Sequence, residues 1–195
     1  MANRIGLLGG TFDPVHNGHI SIFRSFTESD LIDQLWVLLT PDPPHKADKN
    51  HAKYSNRIAM LHLAIEDLSA VSISTIEQEL PKPSYTIQTI RALKDKHPDF
   101  DFSYCLGGDS LQNFHLWKNY DQILNEVDLL VAERPEFHHQ NVSESILKKT
   151  SFIAHQPVSV SSSLIRERLN EGKSISDLVP QQVEDYILSE KLYFQ

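Results

Sequence analysis

A single cysteine stands among the 195 residues, so no internal disulfide can brace the chain. Cys105 lies in the apolar run Phe102-Ser103-Tyr104-Cys105-Leu106 with no basic neighbour in sequence, the setting of inert core filler and not of a nucleophile. No apolar run approaches the ~20 residues that cross a bilayer, and Met1-Ala2-Asn3-Arg4 leads straight into strand-like sequence without a cleavable signal pattern. A cytoplasmic protein that does not enter membranes is expected. Basic residues are the scarcer charge, 18 Lys and Arg against 26 Asp and Glu, for a formal charge of -8. An extended nucleic-acid site needs a basic stripe to displace counterions, so none is expected. A small anion is still compatible with this charge, because a Debye length of about 8 Å mutes distant carboxylates and leaves the decision to local cations and backbone donors. Repeats, low-complexity tracts and domain-separating linkers are missing as well.

What is present is an ordinary globular composition, 40% hydrophobic and 23% charged, in a length that suits one domain spanning 1–195. Apolar, β-branched and aromatic runs recur at 5–8, 35–39, 71–76, 102–106 and 129–132, with a weaker one at 151–154, and read as buried parallel strands. Helical patterns fall between them at 19–26, 54–68, 86–96 and 109–125, and after them at 162–171 and 181–192. Alternation of this kind implies right-handed crossovers and an α/β fold: a Rossmann-like, doubly wound parallel sheet with helices on both faces. Such sheets bind ligands beyond the carboxyl ends of their strands, where this chain places Gly9-Gly10-Thr11, Thr40-Pro41, Gly107-Gly108-Asp109 and Glu133-Arg134-Pro135. The polar, proline-rich stretch 41–53 suits a long functional loop. The ending Lys191-Leu192-Tyr193-Phe194-Gln195 fits either a native end or a protease-site remnant, and no function is placed on its last residues.

The most distinctive string is Gly9-Gly10-Thr11-Phe12-Asp13-Pro14-Val15-His16-Asn17-Gly18-His19. Its two glycines let backbone approach a phosphate, and the helix start behind them offers unpaired N–H groups and a partial charge of roughly +0.5. His16 and His19, three residues apart, share one side of the first turn. Paired histidines also occur in zinc sites, but those need three or four ligands and no others stand at ligand spacing, so no protein-held metal is expected.

This string resembles the motif of the nucleotidyltransferase superfamily of adenylyl- and cytidylyltransferases, which contains His-x-Gly-His. Ser161-Ser162-Ser163-Leu164-Ile165-Arg166 resembles that superfamily's second motif. Further matches narrow the resemblance to bacterial nicotinate-mononucleotide adenylyltransferases: Pro43-Pro44-His45-Lys46, Tyr54 with Arg57 and Met60, Ser84-Tyr85-Thr86-Ile87, Gly107-Gly108-Asp109, Trp117 and Arg134-Pro135. Together they cover nearly the whole chain.

The resemblance implies attack by the acceptor's phosphate on the α-phosphorus of ATP, with pyrophosphate leaving, Mg²⁺ assisting as the companion of ATP, and no covalent enzyme intermediate. It gives His16, His19 and Arg166 the catalytic contacts to the triphosphate. Gly9, Gly10, Thr11, Phe12, Lys46, Gly107, Asp109, Arg134 and Ser162 would line the ATP site. Trp117 would stack on the acceptor's pyridine ring, and backbone N–H groups near Thr86 and Lys118 would receive its carboxylate, favouring nicotinic acid mononucleotide. Two positions depart from the family pattern: Gln88 stands where an acid is common, and Lys118 where an aromatic residue is frequent. The rival acceptors are nicotinamide mononucleotide and phosphopantetheine, and the rival class is a non-catalytic nucleotide-binding module. His51, His62, His97, His115, His138, His139 and His155 lack a partner pattern and receive no role. Sequence does not decide between a monomer and a homo-oligomer.

Overall fold

A computed structural model describes residues 3–41, 51–133 and 142–194. Lys46, Arg134, His138, His139 and most of the 41–53 stretch lie outside the described residues. Six strands, β1 (Asn3–Gly10), β2 (Gln34–Leu39), β3 (Val71–Ser74), β4 (Phe100–Gly107), β5 (Asp128–Glu133) and β6 (Thr150–Ala154), form one sheet in the order β3-β2-β1-β4-β5-β6. Every pairing is parallel, as the recurring apolar runs imply. Strand order reverses between β1 and β4, so the crevice at their carboxyl ends is the place where such a sheet receives a ligand.

Residue alternation within the strands supplies both faces. Leu35, Val37 and Leu39 of β2 enter one apolar cluster, whereas Leu38 enters a second with Ile5 and Leu7 of β1. The first cluster is covered by α1 (Asn17–Thr27) through Phe23 and Phe26, by α2 (Tyr54–Ile65) through Met60 and Leu61, by α7 (Ser162–Asn170) through Ile165 and Leu169, and by α8 (Gln181–Ser189) through Val183 and Ile187. The second is covered by α3 (Thr86–Lys96) through Ile87, Ile90 and Leu93, and by α4 (Gly108–Gln112), α5 (Tyr120–Glu126) and α6 (Glu144–Leu147) through Leu111, Ile123 and Ile146. Cys105 is fully buried in the first cluster, and burial drives its thiol pKa far up, in keeping with filler.

Two expectations need correction. The helical pattern at 109–125 is not one helix: α4 gives way to a 3-10 turn at Phe114–Leu116, and α5 begins only after Asn119. Asn119 sits at φ 58°, ψ 40°, a left-handed conformation that asparagine tolerates better than most residues, and one such residue is enough to interrupt a helix. The run at 71–76 ends as a strand at Ser74 and turns into a 3-10 segment at Ile76–Gln78. Among the described residues no helix is long and apolar enough to cross a membrane.

Candidate active site

β1 ends in Gly9-Gly10, and the chain then turns through Thr11–Val15 into α1. A Cβ at Gly9 would lie 2.7 Å from the Tyr104 hydroxyl, so glycine here leaves room for that hydroxyl beside the end of β1. Phe12 takes φ 47° and is buried, its ring edge-on to His19 at 4.9 Å and to Phe23 at 5.9 Å. The ring is therefore a wedge that supports His19, and any contact of Phe12 with a ligand falls to its backbone.

His16 caps α1, and its ring stacks on that of His19 with centroids 3.7 Å apart. The His16 backbone N–H donates to His19 Nδ1 at 3.2 Å. With Nδ1 occupied as an acceptor, a neutral His19 carries its proton on Nε2 and presents it as a donor. Burial lowers the His16 pKa to about 4, and burial together with the neighbouring His16 holds His19 well below its ordinary value. Nδ1 of His16 is buried without a hydrogen-bond partner among the described residues. Such an orphan costs about 1–3 kcal/mol, which an incoming anion or water can recover.

The second motif arrives at the same turn. Ser161 caps α7 by accepting the Leu164 N–H at 3.2 Å, which fixes where the helix begins. Ser162 Oγ then donates to the Pro14 carbonyl at 2.9 Å, and Arg166 Nη1 donates to the Asp13 carbonyl at 2.7 Å. Residues 148 and 153 positions apart thus meet on the two peptide units that precede the histidine pair. Two hydroxyls, a guanidinium, two neutral histidines and a helix start form an anion-seeking set. Gly107 ends β4 on the other side of the crevice and Gly108 opens α4, with Asp109 exposed in its first turn.

The acceptor candidates Trp117 and Thr86 both neighbour Tyr104, which also meets the Gly9 backbone at the end of β1. Trp117 ends the 3-10 turn in an extended conformation instead of sitting within a helix. Half-buried, it meets the Tyr104 ring edge-on at 5.7 Å and the Phe114 ring at 5.3 Å. Thr86 opens α3, and the Lys118 ammonium lies 4.0 Å from the centre of the Tyr85 ring. The departure at Gln88 has a physical account: its amide oxygen accepts the Tyr85 N–H at 3.0 Å, the reverse half of a capping box, which an amide serves as an acid does.

Several working residues escaped the sequence reading. Arg57, 3% exposed, donates to the carbonyls of Thr11 at 2.8 Å, Thr40 at 2.9 Å and Pro41 at 2.7 Å, tying the ends of β1 and β2 together. Buried Tyr104 neighbours the Thr86 side chain and the Gly9 backbone and bridges the two halves of the crevice, and burial holds its hydroxyl pKa far up. Glu77 is buried, accepts from Thr89 Oγ1 at 3.1 Å, and has its pKa raised chiefly by burial. His51, given no role in the sequence, pairs through Nδ1 with the carboxylate of Asp13. Spacing could not reveal these contacts, since each partner lies on a different element; only Arg57, within the quoted family matches, carried a signal.

Comparison with known proteins agrees with the geometry. A cytidylyltransferase-like family model matches residues 7–168. A relative from Flavobacterium johnsoniae, named "Probable nicotinate-nucleotide adenylyltransferase", is 37% identical over 190 residues, covering 97% of this chain and 98% of its own. One of the same name from Halalkalibacterium halodurans is 40% identical over 192 residues, covering 97% and 91%. The chain belongs to the nicotinate-nucleotide adenylyltransferase family. The fold of that family extends to a solved structure of Plasmodium falciparum nicotinic acid mononucleotide adenylyltransferase complexed with NaAD, with a TM-score of 0.80, 23% identity and coverage of 98% and 97%. The two segments that carry the resemblance in the sequence are the two that meet at Asp13 and Pro14.

Proposed function

We propose that the protein transfers the adenylyl group of ATP to the phosphate of nicotinic acid mononucleotide, producing nicotinic acid adenine dinucleotide and pyrophosphate. The carrying observation is the convergence of Ser162 and Arg166 onto the turn in front of His16 and His19, at the reversal of strand order. An acceptor phosphate oxygen attacks the α-phosphorus, the bond to the bridging α–β oxygen breaks, and pyrophosphate takes the electron pair. The obstacle is charge: two unit charges 4 Å apart repel by about 4 kcal/mol at an effective dielectric of 20, and here several phosphates converge. The chain's task is to align and neutralise them.

His19 Nε2–H donates to the α-phosphate oxygens, where charge builds in the transition state, with His16 beside it. Thr11 and the Gly9-Gly10 backbone serve the same region, Ser162 and Arg166 hold the β- and γ-phosphates, and Gly107 and Asp109 flank the nucleoside. Lys46 and Arg134 are further cations for the triphosphate. Among the described residues no group of three His, Cys, Asp or Glu could hold a metal, and the donors at the turn suit an anion. Mg²⁺, as the companion of ATP, would lower the charge that the acceptor must approach.

Trp117 offers its face to the pyridine ring, while the start of α3 at Thr86, the backbone at Lys118 and the Lys118 ammonium receive the carboxylate. A carboxamide there would set donor against donor at about 1–3 kcal/mol, so nicotinic acid mononucleotide should turn over roughly 5–150 times more efficiently than the nicotinamide form. Pyrophosphate release with MgATP and nicotinic acid mononucleotide, nicotinamide mononucleotide or phosphopantetheine tests this. Equal or faster turnover of either rival rejects the acceptor assignment, and no release with any of them returns the chain to a nucleotide-binding module.

A further inference from the structure

Asp13 is 1% exposed, and a carboxylate taken out of water is costly unless each oxygen finds a donor. Oδ2 is paired with His51 Nδ1. Oδ1 accepts the Ala52 N–H at 3.1 Å and the Tyr193 hydroxyl at 2.6 Å, across 180 residues. That last donor comes from the tail beyond α8. The helix is already anchored without it, by Val183 and Ile187 in the core and by Tyr186 Oη donating to Asn56 Oδ1 at 3.4 Å.

Reaching Asp13 takes an unusual path. Lys191 at φ 51° and Tyr193 at φ 66° both adopt the left-handed region, which costs non-glycine residues on the order of 1–3 kcal/mol each and persists where surrounding contacts enforce it. Leu192 returns its N–H to the Ile187 carbonyl at 3.0 Å, and the side chains of Leu192 and Tyr193 pack on the first core cluster. Core packing accounts for the ring of Tyr193 but not for its hydroxyl, which ends on the carboxylate of the residue whose own carbonyl receives Arg166.

We propose that the tail is a working part of the phosphate site, with Tyr193 as a positioning residue: its hydroxyl holds the Asp13 side chain, and so keeps the Asp13-Pro14 peptides where Arg166 and Ser162 are anchored. Burial and the adjoining Asp13 raise the Tyr193 pKa, so the hydroxyl remains a donor throughout the working pH range. The chain of contacts runs from Tyr193 through Asp13 to Arg166, the residue given above to the β- and γ-phosphates and not to the acceptor. The inference rests on the reaction proposed above for its substrates, but not for its geometry.

Tyr193→Phe keeps the ring and removes only the hydroxyl. It should lower kcat/KM for ATP at least tenfold while leaving the acceptor KM within twofold, with a Tm fall no larger than the roughly 3–12 °C of one lost hydrogen bond to a buried charge. Deletion of residues 193–195 should reproduce the kinetic loss. A kcat/KM for ATP within twofold of wild type in Tyr193→Phe overturns the proposal. So does a loss accompanied by an equal rise in acceptor KM and a larger fall in Tm, the signature of general loosening. Wild-type turnover in the same assay tests the reaction separately. Were the wild type inert with every acceptor, affinity for a non-hydrolysable ATP analogue would replace the rate, with a tenfold loss in Tyr193→Phe expected and unchanged affinity overturning the inference.

Discussion

His16 illustrates how one side chain serves folding and chemistry in opposite directions. Its pKa is lowered to about 4 by burial, against roughly 6.5 in an unfolded chain. Between those two values the unfolded state binds more protons than the native one, so stability is full above about pH 6.5 and falls as the pH drops toward 4. Moving from pH 7 to pH 5 should cost the unliganded protein on the order of 2 kcal/mol through this residue. Urea unfolding at both pH values would show a smaller fall in His16→Gln, which cannot take up the proton; an identical fall in both proteins would remove His16 as the source. On the function proposed above, a bound triphosphate would oppose this loss by pairing with the protonated ring.

At the scale of elements, legibility depended on whether a feature was local. The boundaries of α3 match its periodicity residue for residue, because its apolar spacing and its first turn lie in one stretch of sequence. The 109–125 pattern misled because apolar spacing survives where the backbone breaks: Phe114, Ile123 and Leu124 all reach the core from a turn and a separate helix, and the break, extended at Trp117 and left-handed at Asn119, is set by backbone dihedrals that periodicity does not encode. The two motifs were legible from their order along the chain, whereas Arg57 shows what motif reading leaves out. Its guanidinium joins carbonyls at the ends of β1 and β2, so it belongs to the joint between elements and to no one of them. Arg57→Leu would leave the part-buried carbonyls of Thr11 and Thr40 without this donor and strand the buried one of Pro41 at about 1–3 kcal/mol, and with a Tm response of roughly 2–4 °C per kcal/mol for a chain of this size, thermal unfolding should fall by at least about 2 °C. A change of less than 2 °C would mean that water replaces the guanidinium freely and that the joint does not depend on it.

For the molecule as a whole, alternation of strand and helix implied the doubly wound parallel sheet, and the resemblance implied that the second motif meets the first; neither implied that the tail reaches the same turn. Ser162 and Arg166 bring α7 to the loop after β1, and Tyr193 brings the tail to the same peptide. Binding at that turn should therefore stabilise the entire fold, since any ligand that prefers the native state adds RT ln(1 + [L]/Kd), about 2.7 kcal/mol at one hundred times Kd. For this length that corresponds to a Tm rise of roughly 5–10 °C with a non-hydrolysable ATP analogue and Mg²⁺. Arg166→Ala, measured at the same ligand concentration, should lose most of the rise if the guanidinium holds the β- and γ-phosphates as proposed, because it is gone while Ser161 still caps α7 and keeps the helix in place. A full rise in that variant would mean that the triphosphate is held without the second motif, and that the meeting of the two chain ends serves the fold alone.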